Sequence, residues 1–161
     1  GYAPLAGNAQ IMFWNFVTTL FSIPLAARCE PKDLFLKGLL GAAVSCILAF
    51  VGMTQQIYGG GMFSGFATIG MAGLVLAFEC GMAPMFFILA TKVFPEEQRE
   101  LGCSIVNTTS FVFNLLVLFA FPLAVDAWSP SPDQQIVGTS RTFAAFGGIG
   151  LVCYAALQRL L

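Results

Sequence analysis

The chain has 161 residues, of which 58% are hydrophobic and only 9% charged, with a net charge of −1 and a mean hydropathy of +0.84. Soluble domains carry about 25% charged residues, so seven basic and eight acidic side chains cannot furnish a water-facing surface, and the composition is that of a membrane protein. The same balance excludes the basic footprint of a nucleic-acid binder, while five cysteines without CxxC spacing and the lack of any histidine leave no ordinary metal site and imply no cofactor.

Five apolar segments match the roughly 20 helical residues needed to cross ~30 Å of hydrocarbon. They lie at about 9–27, 34–57, 62–91, 101–125 and 142–161 and predict an all-α membrane protein. The chain opens at Gly1 without an initiator methionine or a signal-peptide n-region, so it reads as a piece of a longer protein.

The first segment carries Asn15, Thr18, Thr19 and Ser22 at i, i+3, i+4 and i+7, one stripe of a helix. A polar stripe in a lipid-crossing helix is expected to face other protein or water. The connection after it is basic, with Arg28, Lys32 and Lys37. In the second segment small residues at Gly38, Gly41, Ala42 and Ser45 suit close helix packing. Tyr58-Gly59-Gly60-Gly61 then reads as a short loop on the opposite side.

The third segment is longer than a straight crossing needs, and Pro84 gives it a place to bend. It also holds the one carboxylate inside any span, Glu79. A charge at bilayer depth costs about 2.5–3.5 kcal/mol on insertion scales, so Glu79 must face something polar. Two roles are open: a ligand-facing acceptor or proton site, or a structural carboxylate tied to a neighbouring helix. Apart from Lys37 and Arg159, each near the end of its span, no Lys or Arg lies within the five spans, which weighs against a permanent ion pair. Pro95 stops this helix before the charged run Glu96-Glu97-Gln98-Arg99-Glu100.

In the fourth segment Ser104, Asn107, Ser110 and Asn114 share one stripe. Asn15 and Asn114 read singly as interhelical hydrogen-bonding groups. Together with Glu79 on a third helix they predict a shared hydrated site, in which amides and a carboxylate exchange hydrogen bonds with a neutral polyol against an aromatic ring from Phe78, Phe86, Phe87 or Phe111. Asn107-Thr108-Thr109 matches a glycosylation sequon but lies within a span. The Asp126–Arg141 stretch reads as a longer loop, and the fifth segment carries Gly147, Gly148 and Gly150 for packing. Six basic residues on one side against Arg141 on the other place the C-terminus in the cytoplasm by the positive-inside rule. With no histidine, no paired intramembrane acids and no activated serine or cysteine, an enzyme is not expected.

The run Glu79-Cys80-Gly81-Met82-Ala83-Pro84-Met85-Phe86-Phe87, followed by Lys92, Phe94 and Arg99, resembles the tenth-helix motif of the sugar porters of the major facilitator superfamily. Trp14-Asn15-Phe16-Val17-Thr18-Thr19 and the Phe-rich run after it look closer still to the hexose transporters of trypanosomatid parasites. The resemblance implies that the chain holds helices eight to twelve of a twelve-helix transporter, an incomplete C-terminal six-helix half. Residues Gly1–Asn8 would then be the outer loop before the eighth helix. Sugar contacts carried over by position are Asn15, Phe78, Glu79, Phe87 and Asn114, with Ser110 where the family often has another asparagine; Gly81 and Pro84 would bend the tenth helix. Arg28 and Arg99 remain from the family's cytoplasmic charge cluster, whose two acids are absent here, with Glu30, Asp33, Glu96, Glu97 and Glu100 as replacements.

The expected function is transmembrane hexose transport by alternating access, as part of a full-length plasma-membrane transporter. The expected partners are the hexose, the bilayer, the missing N-terminal half and, if Glu79 is a proton site, protons. The competing reading is a stand-alone small membrane subunit with a role in assembly.

Overall fold

A computed structural model describes residues 4–58, 65–131 and 134–160. Among the described residues six α-helices follow one another: α1 (Pro4–Arg28), α2 (Pro31–Ile57), α3 (Gly65–Ala77), α4 (Ala83–Val93), α5 (Arg99–Trp128) and α6 (Gln135–Leu160). A π turn, Phe78–Met82, joins α3 to α4 as one continuous rod, and a short 3-10 turn, Glu96–Gln98, precedes α5. Counting α3, the π turn and α4 together, five helical rods among the described residues are long and apolar enough to cross a membrane.

The rods extend past the expected segments at several ends. Helix α1 begins at Pro4, so residues 4–8 are helical where an outer loop was expected. Proline is at home in the first helical turn, where its missing N–H has no partner to lose. Helix α2 begins at Pro31 for the same reason. The expected Asp126–Arg141 loop is largely helix, because α5 continues through Trp128 and α6 starts at Gln135. Hydropathy places a boundary where polar residues begin, whereas a helix continues until its backbone pattern is broken. The lone basic residue of that side, Arg141, donates from Nη1 to the Trp128 carbonyl oxygen at 3.1 Å, satisfying one of the open carbonyls at the end of α5. Gly1–Ala3, Gly59–Gly61, the Met62 start of the third segment, Pro132, Asp133 and Leu161 lie outside the described residues.

Helix α2 forms the centre, packed against α3 on one side and α6 on the other. Water cannot drive helices together inside lipid, so close backbone approach and van der Waals fit must hold the bundle. The sequence supplies this as a seam of small residues on both antiparallel rods. Gly38 of α2 meets Gly81 of the π turn, Ser45 and Ala49 meet Gly70 and Gly73 of α3, and Gly52 meets Ala67. Ala49 is fully buried. Below the seam, Cys46, Ala49, Met53 and Phe143 form a core with Phe50, Ala67, Leu74 and Phe121 packed on it. Phe121 stands edge-on to Phe143 at 6.1 Å and stacks with Phe146 at 6.3 Å, tying α5 to α6.

The π turn has a local cause. Pro84 has no N–H to give the Cys80 carbonyl, and its ring crowds that carbonyl in a regular helix. The chain inserts a wider turn instead, and the Ala83 N–H reaches back five residues to the Phe78 oxygen. Single π turns of this kind recur at functional sites, and this one holds Glu79.

Candidate functional site

Helix α1 presents its polar stripe to the π turn, and the structure divides that stripe by task. Thr18 and Ser22 are buried, and their hydroxyls donate within the helix to the Asn15 and Thr19 carbonyls at 2.8 and 2.7 Å. The other two members reach across. Asn15 Nδ2 donates to Glu79 Oε1 at 3.2 Å, and Thr19 Oγ1 lies 3.2 Å from Glu79 Oε2. One residue on, Cys80 Sγ donates to the Thr18 carbonyl at 3.4 Å. Further along, Trp14 Nε1 donates to the Ala72 carbonyl at 2.9 Å.

Glu79 is thus held by neutral donors on one neighbouring helix, one on each carboxylate oxygen, and it is only partly buried. An ionised carboxylate has about four acceptor positions, so this clamp leaves room for further donors. Thr19 has one hydroxyl hydrogen and two acceptors within reach, since its own helix offers the Asn15 carbonyl at 2.9 Å. The hydrogen can therefore move to Asn15 when the carboxylate turns to another donor, and no hydroxyl is left unsatisfied.

The other face of the π turn borders a cavity of about 410 Å³ between α4 and α5, within the range of small-molecule sites. Asn107, Ser110 and Asn114 of α5 form one wall, and Phe78, Phe86 and Phe87 lie across from them. The Phe86 and Phe87 rings meet edge to face at 5.5 Å. Amides can trade hydrogen bonds with hydroxyls, while aromatic rings cover C–H faces; the combination suits a compact, amphipathic, uncharged ligand.

The structure therefore groups the expected residues in two adjoining sets. Asn15 and Glu79 are bonded, whereas Phe78, Phe87, Ser110 and Asn114 line one cavity. The backbone step from Phe78 to Glu79 joins the sets; the carboxylate itself is not in the cavity wall. Gly81 lies in the π turn against Gly38, and Pro84 lies in the first turn of α4. Arg28 closes α1, and Arg99 opens α5 with Glu96 at 3.9 Å. With Glu96 almost wholly in solvent and Arg99 nearly half exposed, that long ion pair contributes little.

Thr19, Asn107, Phe35 and Met82 were not among the expected contacts. The signal for two of them was in the spacing: Thr19 is one turn beyond Asn15, and Asn107 is three residues before Ser110 on the same stripe. Replacing Thr19 by valine keeps its shape and removes the second donor to Glu79. An interhelical hydrogen bond in a membrane averages about 0.6 kcal/mol, so Thr19→Val lowers the thermal stability of the detergent-purified protein by about that much, and Thr19→Ser restores it. Equal behaviour of the valine and serine variants would show that the hydroxyl is idle.

Amides, a carboxylate and aromatic rings gathered among lipid-crossing helices define an integral membrane protein with a polar interior site. The sequence matches the family model described as "Sugar (and other) transporter" over residues 2–157, and the chain belongs to this family, within the major facilitator superfamily. It is 35% identical to the glucose transporter HT1 of Trypanosoma vivax, covering 100% of this chain and 30% of that protein. Identity to glucose transporter 1B/1C/1D/1F/2B of Trypanosoma brucei brucei is 36%, over 95% of this chain and 29% of that protein. The major myo-inositol transporter IolT of Bacillus subtilis (strain 168) is 24% identical over 99% of this chain and 32% of that protein. The chain thus spans about 30% of the length of the curated relatives it matches. No solved structure matches it.

Proposed function

We propose that the chain forms most of the C-terminal half of a hexose transporter and supplies one wall of its sugar site. The observation that carries this reading is the clamp of Asn15 and Thr19 on Glu79 beside the cavity lined by Phe78, Phe87, Ser110 and Asn114. A hexose offers donors to the carboxylate, both donors and acceptors to the amides, and a C–H face to the rings. The relatives named as glucose transporters support a hexose as the ligand.

In the full protein the sugar sits between two six-helix halves that rock about it. Asn107 and Asn114 are exposed in the isolated chain, as a wall facing a second half must be before that half is added. The C-terminus faces the cytoplasm, because basic residues concentrate at that end of the bundle, and the plasma membrane is taken as the site of action.

The test uses the full-length protein in cells that lack their own hexose carriers. Asn114→Ala removes a group that can both donate and accept, at a cost of about 1–3 kcal/mol when the sugar hydroxyl loses its partner. Half-saturation for glucose rises about tenfold while the surface level is unchanged. Unchanged uptake kinetics in this variant would remove the cavity from the sugar path.

A further inference from the structure

A second opening lies between α1, α2 and the third rod, lined by Cys80 and Gly81 of the π turn where the sugar cavity has Phe78 and Met82. It has a volume of about 570 Å³ and apolar walls that include Phe21, Leu25, Leu34 and Leu76. Small residues of the α2 seam make its floor, and Lys37 is part of its rim. Nothing in the proposed sugar path uses this groove.

Lys37 is the unusual member. It is exposed, and among the described residues no carboxylate forms an ion pair with it. Asp33, one turn earlier on the same helix, is exposed as well. Helix α2 has 27 residues, about 40 Å at 1.5 Å per residue, which matches a bilayer with its headgroup layers. Lys37 stands six residues into that helix, about 9 Å from its start. That depth is just inside the hydrocarbon, a few ångströms below the headgroup phosphates. A lysine there buries its stem along apolar surface and extends its ammonium toward the phosphate layer.

We propose that this groove holds one anionic phospholipid, with its phosphate on Lys37 and an acyl chain along Phe21, Leu25, Leu34 and Leu76. The occupant follows from charge and shape: a cation with no ion pair among the described residues at the head of a largely apolar slot, in a helix that crosses lipid, on the side richest in Lys and Arg. An electroneutral lipid fills the slot equally well but gains nothing from the ammonium. A basic residue at an anionic membrane surface gives about a fivefold preference, and a fixed groove concentrates that preference at one site.

The experiment is native mass spectrometry of the full-length protein, released from vesicles of equal phosphatidylglycerol and phosphatidylcholine with matched acyl chains. The native protein retains one phosphatidylglycerol about fivefold more often than one phosphatidylcholine. Lys37→Gln brings the ratio to about one, Lys37→Arg keeps it, and Leu76→Trp, which narrows the slot, lowers retention of both lipids. Lys92→Gln, which removes an exposed cation outside the groove, changes nothing. The proposal fails if Lys37→Gln leaves the ratio unchanged, as it would were the groove filled by another part of the full-length protein. It fails equally if Lys92→Gln lowers the ratio as much, which would mark a diffuse surface attraction. Sugar uptake plays no part in the readout, so the result is separate from the sugar site.

Discussion

On the proposed reading, Glu79→Gln in the full-length protein lowers hexose uptake about two- to thirtyfold while leaving the amount at the cell surface near normal. The two halves of this result have different causes. A glutamine keeps a carbonyl oxygen for Asn15 Nδ2 and turns an amino group toward Thr19, whose hydroxyl can accept from it while donating to the Asn15 carbonyl. The contact between α1 and the π turn therefore survives. What disappears is the charge, and hydrogen bonds to a charged group are worth about 1.5–3 kcal/mol against about 1 for neutral ones. That difference falls on whatever ligand occupies the remaining acceptor positions. Radiolabelled glucose uptake, normalised to surface protein, checks it. A purely structural carboxylate gives the opposite pattern: normal kinetics for Glu79→Gln, and lost protein for Glu79→Leu, which strands the Asn15 amide.

The second large effect is on assembly. A methyl group added at Gly38 would stand 2.7 Å from the Gly81 Cα, and one added at Gly81 would stand 2.5 Å from the Gly38 Cα. Both collisions are with backbone, which cannot swing aside as a side chain can. Overpacking of this kind costs about 1–3 kcal/mol, and in lipid no hydrophobic drive compensates. Gly38→Ala and Gly81→Ala each lower the thermal stability of the detergent-purified protein, and the valine variants largely fail to assemble. Gly148→Ala is the control, because nothing lies near a Cβ at that position. Indistinguishable melting of Gly38→Ala and Gly148→Ala would show that the seam yields more easily than its geometry implies.

Much of the architecture was legible in composition and spacing. Hydropathy located the rods, and the stripe of Asn15, Thr18, Thr19 and Ser22 identified the face of α1 that meets the third rod. Their ends were less legible, since α1 and α6 begin several residues before the chain turns apolar. The π turn was the larger omission. At 100° per residue, Phe78 and Phe87 stand about 180° apart on a regular helix, which would put them on opposite faces. One extra residue in the turn takes up about 100° of that, and the two rings come to line one cavity. Pro84 suggested an irregularity but not its form. The glycines of α3 were also passed over, because Gly70 and Gly73 acquire meaning only opposite Ser45 and Ala49.

The backbone contact between Gly38 and Gly81 also decides what can travel. Where two chains touch without side chains between them, neither can slide or roll without a collision, so α2 and the rod it grips behave as a single stiff plate. Helix α1 is fastened to that plate chiefly by exchangeable polar links, and α5 meets it across open space. On the proposed reading, any displacement that ligand capture demands falls on those two flanking helices, with the plate as the frame against which they shift.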